Sequence, residues 1–492
     1  MSKAEKRSFS QTSSNTDYYD LYRIIEANTD EDIEKIKQQY RKIKPKANFH
    51  VNSNYLYSKI LDSLLALEVN NNVELELKND LTKAEILTKK SLFKEALDIY
   101  SPIQEKANKI KNSTLFMMAA QAELELLLQL NFPEISEQEL LHKHFLISEA
   151  IKHIRKENEL SVLYDLLMYR TIYQDIMRNK VQKDALNDLL ISEFSINTSS
   201  GHTNSFETNK IHQLFQSAYL IGVNDFKAAR YSLKELIQLF QDHPQQWIDN
   251  PYYYIITLEN VLRTLRAMKH EQDMPYFIDI LLSIQTKSKG LKALIASIAT
   301  LYQIYPLVDN GLFIEANQII TTQQKKIENQ KEHLSLNKQA ELVLCWAISQ
   351  FGLGEYKKVK ELLGTIIFQS QHFYYLPIFR TIRLVHLMSL YKLNLLTEYD
   401  FEMRSFKRDL SKHKQSYQVE TLILQFIQRP KTYFNKREEA WSKIAPQIEH
   451  IQKSIFEKQI LYYFDFLVWM ESEVKNIPLS NLLQKKKAQS VK

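Results

Sequence analysis

Glycine and cysteine are nearly missing from this chain of 492 residues, which has 7 glycines and one cysteine. Ordinary usage of about 7% would give about 34 glycines. So few exclude a phosphate-cradling glycine loop, a dinucleotide fingerprint and a strained glycine elbow around a nucleophile. The single Cys345 excludes a disulfide framework, a cysteine-rich zinc module and an iron–sulfur cluster. A charge of one sign is lacking too. Lys and Arg total 64 against 58 Asp and Glu, the signs are interspersed, and the net charge is +6. That balance gives no reason to expect a nucleic-acid partner. The most apolar run, Leu291 to Val308, carries Lys292 and Gln303 and has Pro306 near its end. It reads as a buried helix rather than the 20 or so apolar residues of a membrane span. The basic start, Met1 to Arg7, is followed by no apolar stretch, so no signal peptide is expected and the chain reads as cytoplasmic. Scarce cysteine fits a reducing compartment.

Hydrophobic residues make up 44% and charged residues 25%, enough to bury a large core. Apolar positions recur at helical spacing, as in Leu163, Leu166, Leu167, Ile172 and Ile176, and no comparable period-two alternation competes. Helix starts are marked by capping residues such as Thr29 or Asp30 and by Asn250-Pro251, and Pro377, inside an otherwise helical stretch, predicts a start or a kink. The fold class is all-α, with about 20 helices of roughly 12–22 residues.

A repeat runs through the chain. Phe93-x2-Ala96-x3-Tyr100, Phe226-x2-Ala229-x3-Leu233, Phe313-x2-Ala316-x3-Ile320 and Tyr356-x2-Val359-x3-Leu363 each follow a turn-forming segment. An aromatic opens the second helix of a hairpin. A small residue one turn on admits the partner helix, and a large apolar residue fills the next gap. Ala96, Ala229 and Ala316 are therefore expected to be buried. The aromatics lie 133, 87 and 43 residues apart, close to three, two and one units of about 43–44 residues. Weaker matches occur at Val181–Ala185 and Tyr399–Phe401, and near 270 only Lys269 to Asp273 looks turn-like. This pattern resembles the tetratricopeptide-repeat (TPR) class from about Leu81 to Lys412, without its Trp-x2-Leu-Gly first helix and with longer units. The resemblance implies an α-solenoid of antiparallel hairpins, similar to divergent bacterial repeat proteins, and implies no activity.

The expected plan is a disordered 1–16, a helical cap over 17–80, hairpins over 81–194, a loop or hinge at 195–210, TPR-like hairpins over 211–475 and a basic tail at 476–492. Within the cap, Asp20-x-Tyr22-x-Ile24-Ile25 and Ile36 to Ile43 follow the helix spacing of J-domains. Their His-Pro-Asp loop is replaced by Lys46-Ala-Asn-Phe-His50, so the chaperone-stimulating activity does not carry over.

His142 and His144 are two apart, about 200° around a helix, and cannot share a metal; none is expected, nor any cofactor. Cys345 sits in an apolar helix and reads as a buried small hydrophobe. The tyrosine runs at 252–254 and 374–375 cannot all face a core, since each helical residue turns about 100° from the last and three of them span about 200°. In peptide-binding members of the class, basic residues and an Asn on first helices clamp a carboxylate. By that resemblance Tyr253, Asn260 and Arg263, on a helix over 251–268, and Arg380 and Arg383, on one over 374–393, are candidates for a partner groove, partly exposed on its concave side. The expected function is a non-catalytic scaffold for a protein or peptide segment. The alternative is a regulatory sensor, or a degenerate J-like module joined to the array. Residues 17–67 lack the Gly-containing turn of a helix-turn-helix.

Overall fold

In a computed structural model the chain is 85% helical, with no strand among the described residues. The structure describes residues 3–13, 16–28, 32–69, 72–173, 180–199, 205–413, 417–429, 437–454 and 456–490. They hold 25 α-helices, in two compact units that divide at Arg155 and Lys156 inside α8. The first unit contains α1 (Lys3–Ser13), α2 (Asp17–Ala27), α3 (Ile33–Ile43), α4 (Phe49–Val69), α5 (Val73–Lys89), α6 (Phe93–Lys109), α7 (Ser113–Gln129) and the start of α8 (Glu137–Tyr173). The second continues with α9 (Lys180–Ser199), α10 (Phe206–Gly222), α11 (Phe226–Asp242), α12 (Tyr252–Ala267), α13 (Met274–Ser283), α14 (Lys289–Asp309), α15 (Phe313–Glu328), α16 (Leu336–Gly352) and α17 (Tyr356–Ile367). It ends with α18 (Ser370–Phe373), α19 (Pro377–Leu393), α20 (Leu396–His413), α21 (Gln418–Ile427), α22 (Arg437–Lys453), α23 (Lys458–Tyr463), α24 (Phe466–Lys475) and α25 (Leu479–Ser490).

The four repeat motifs fall where the sequence puts them. Phe93, Phe226, Phe313 and Tyr356 are the first residues of α6, α11, α15 and α17. Ala96, Ala229, Ala316 and Val359 are fully buried. Each second helix follows a left-handed residue: Ser91, Asn224, Gly311 or Gly354, with φ of 62°, 60°, 71° and 80°. One residue later an N–H reaches back to the carbonyl five positions earlier, as from Leu312 to Leu307 at 2.8 Å. This is the Schellman closure of a helix end, and it reverses the chain within two residues. The same closure occurs at Lys269 and Asn394. Left-handed turns thus stand at 224, 269, 311, 354 and 394, 40 to 45 residues apart. The unit near 270 keeps its turn, but a 3-10 turn at Glu271–Asp273 delays α13, and the aromatic–small pattern is lost. Helices pack on their neighbours in sequence, and the alternate helices α12, α14, α16, α19 and α21 also pack in succession.

Three boundaries differ from expectation. Residues 3–13 form α1, whose Phe9 is fully buried against Tyr22 at 5.0 Å between rings. Phe9 and a Lys6–Glu26 ion pair at 3.0 Å dock this polar segment. The 195–210 stretch is mostly helix, because α9 runs to Ser199 and the Ser205 hydroxyl caps α10 at the Thr208 N–H. Only 200–204 lie outside the described residues. The basic tail is α25, held by Leu482 and by Lys487 to Glu271 at 3.1 Å. The helix start read at Thr29 or Asp30 lies outside the described residues, and α3 is seen from Ile33. Helix α14 is long and apolar enough to cross a bilayer, and Ile298, Leu301 and Ile304 bury it in the second unit's core.

Candidate functional site

The alternate helices α12, α14 and α16 place a ring of charged and phenolic groups together. From α12 come Glu259, Asn260, Arg263 and Arg266, at the i, i+3/i+4 and i+7 spacing of one helix side. From α14 come Tyr302, Tyr305 and Asp309, and from α16 Lys338, Glu341 and Cys345. Arg266 makes a bidentate pair with Asp309, Nε to Oδ2 at 2.7 Å and Nη2 to Oδ1 at 2.8 Å. Its guanidinium lies 3.7 Å from the Tyr305 ring centre and 4.2 Å from that of Tyr462. Lys338 donates to Glu259 and, at 2.7 Å, to Glu341, which also accepts the Tyr305 hydroxyl at 2.7 Å. Arg263 has no carboxylate within ion-pair distance among the described residues. It faces the Tyr462 ring at 5.3 Å, and its Nε is enclosed without a hydrogen-bond partner.

Burial works against every charge here, so each must be offset by a neighbour. Burial pulls the Lys338 ammonium down, but Glu259 and Glu341 outweigh it and hold it above the ordinary lysine value. Burial pushes Glu341 up, and Lys338 with the Tyr305 hydroxyl brings it below the usual carboxylate range. Burial raises Tyr302, Tyr305 and the Cys345 thiol, so all three stay protonated. That is the opposite of an activated nucleophile. Cys345 is a buried member of the α16 core.

The sequence-derived candidates fall in two places, Tyr253, Asn260 and Arg263 along α12 and Arg380 and Arg383 on α19. Tyr253 is 37% exposed at the start of α12, with the Lys210 ammonium 4.8 Å over its ring. Asn260 is half-buried two turns on. Arg380 is committed to the fully buried Glu420 of α21. Arg383 is itself buried, 6% exposed, with Nε to Glu402 at 2.6 Å, a second pair to Asp409 and Nη2 to Ser405 at 3.1 Å. The expectation of a partly exposed Arg383 is therefore corrected: α20 packs on α19 and supplies both acids. Arg380 and Arg383 both tie helices to one another, Arg383 from a buried position and Arg380 from a half-buried one.

Two features were missed. The first is Tyr462-Tyr463 of α23, which covers Arg263 and Arg266 from a point some 200 residues away, and no local pattern marks it. The second is a set of exposed tyrosines in two groups, Tyr252–Tyr253 and a cluster drawn from distant segments. Tyr173 stacks on Tyr375 at 5.1 Å and 17°, and Tyr169 lies 4.8 Å from Tyr173. Tyr169, Tyr173, Tyr252, Tyr253, Tyr374 and Tyr375 remain 37–54% exposed. The Tyr252–Tyr253 and Tyr374–Tyr375 runs were the legible part of it. Comparison with models of protein families, with curated proteins and with solved structures finds no match.

Proposed function

We propose that the second unit is a TPR-like α-solenoid acting as a non-catalytic scaffold, and that it holds a segment of a partner protein along the first helices of its hairpins. The turns spaced 40 to 45 residues apart and the succession α12, α14, α16, α19 support the solenoid reading. The observation that carries the binding reading is the exposure of these two tyrosine groups. Tyr combines a large apolar ring with a polar tip, so it leaves water cheaply and is enriched where proteins meet. Tyr253 and Asn260 are seven residues apart, two helical turns, so a segment lying along α12 passes from one to the other.

A photo-crosslinking amino acid at Tyr253 or Tyr375, with a control at Tyr231, tests this in the cell that makes the protein. Tyr231 is 67% exposed on α11, a second helix. The expected result is one partner sequence captured at 253 and 375 and not at 231. Equal capture at all three positions, or none at 253 and 375, overturns the reading.

A further inference from the structure

The face of α12, α14 and α16 beyond Asn260 is covered by the chain itself. We infer that the segment 458–464, led by Tyr462 and Tyr463 and tethered at either end by Glu457 and Asp465, is a displaceable occupant of that face, which a partner must expel to extend its contact from Tyr253 to Arg263. This deepens the scaffold reading and rests on it.

Ile460 and Phe464 are buried in the core, and three observations set the rest of the segment apart from it. First, it is slung between two independently capped helices. The Glu457 carboxylate accepts the N–H groups of Gln418 and Val419 at 2.9 and 3.1 Å, at the start of α21. The Asp465 carboxylate accepts the Val468 N–H at 3.0 Å and caps α24. Both caps satisfy helix-end donors without help from α23, so α23 can leave while α21 and α24 keep their ends. Second, α23 has six residues and no extended backbone packing against any helix among the described residues. It is held by side chains: Tyr462 over Arg263 and Arg266, and Phe464 against Phe351 at 5.7 Å. A helix this short has little stability of its own.

Third, the fit is incomplete in hydrogen bonds. Arg263 Nε and Arg266 Nη1 are both enclosed with no partner. Enclosed donors without acceptors weaken a contact that its ring stacking favours. Arg263 is also the cation of this cluster without a carboxylate, since Glu259 and Glu341 both serve Lys338 and Asp309 serves Arg266. The segment thus seals the face without satisfying it, as expected of an occupant that gives way.

Hydrogen exchange on the full chain and binding of a fluorescein-labelled peptide copy of residues 457–465 test the inference together. Amides of 458–464 should exchange at least tenfold faster than those of α12 and α14. The labelled peptide should bind a Tyr462→Ala, Tyr463→Ala chain at least tenfold more tightly than wild type, and adding Arg263→Ala should remove that gain. Exchange as slow as in α12, or equal peptide binding to both chains, overturns it. If the double variant does not fold, the wild-type exchange rates still decide. Capture of a partner at Tyr253 together with slow exchange sinks the occupant inference alone. Fast exchange with no capture sinks the scaffold reading instead.

Discussion

Replacing Gly311 by Ala should cost more than replacing Gly354, and the excess should measure how firmly the C-terminal helix is docked. Both glycines are left-handed, at φ 71° and 80°. An L side chain there costs about 1–2 kcal/mol. At Gly354 a Cβ would meet nothing within 4 Å, so Gly354→Ala should lose only that amount. At Gly311 a Cβ would lie 2.7 Å from the Ser480 carbonyl oxygen and 2.9 Å from its Cα. Both are backbone atoms at the start of α25 and cannot rotate away, so α25 must shift. Leu482, 5% exposed, anchors that helix, with Leu479 and Leu483 packed partly beside it. Burial of one leucine is worth about 1.5–3 kcal/mol, which bounds what a displaced α25 forfeits. Gly311→Ala should therefore cost about 1–3 kcal/mol beyond Gly354→Ala. Urea denaturation of both variants, with and without residues 479–492, closes a double-mutant cycle. In the shortened chain the two should cost the same. An excess that survives the deletion, or equal losses in the full chain, refutes the reasoning.

Burial, with the Lys360 and Arg383 charges and against that of Glu398, lowers His386 from 6.5 to about 4. Between those values the unfolded chain binds the extra proton, so stability is full above pH 6.5 and falls by about 3 kcal/mol as pH drops to 4. His386→Gln should flatten that part of the pH–stability curve, and an unchanged slope would exclude His386 as its source. Ala316→Leu should overpack a fully buried helix contact and cost about 1–3 kcal/mol by thermal denaturation. A wild-type melting temperature would show that the small residue is not at the helix contact. Arg383→Ala leaves the Glu402 and Asp409 carboxylates without their cation and should cost about 3–5 kcal/mol, while Tyr253→Ala leaves Tm almost unchanged. Similar melting for both would contradict the placement of Arg383. Far-UV circular dichroism should give a helical spectrum, and more than about a tenth strand would contradict the fold class.

The amino-acid sequence by itself determined the helices and the hairpin turns. Both depend on neighbours within five residues: apolar spacing of about 3.6, and a left-handed residue that lets one N–H close on the carbonyl five back. That is why Phe93, Phe226, Phe313 and Tyr356 could be placed at helix starts, and why the alanines three residues on could be read as buried. At Lys269 the turn was legible and the repeat unit after it was not, because the 3-10 turn at Glu271–Asp273 delays the next helix. The tertiary structure alone decided what each arginine does. Arg380 and Arg383 read like Arg263 in sequence. Their roles part because α20 and α21 bring acids to the first two, while α23 brings a tyrosine to the third. The segment that covers Arg263 lies some 200 residues further along, and side-chain contact across that separation leaves no periodic trace. Helical periodicity says which residues share a side, and only the packing of distant helices says whether that side meets a carboxylate, a ring or water.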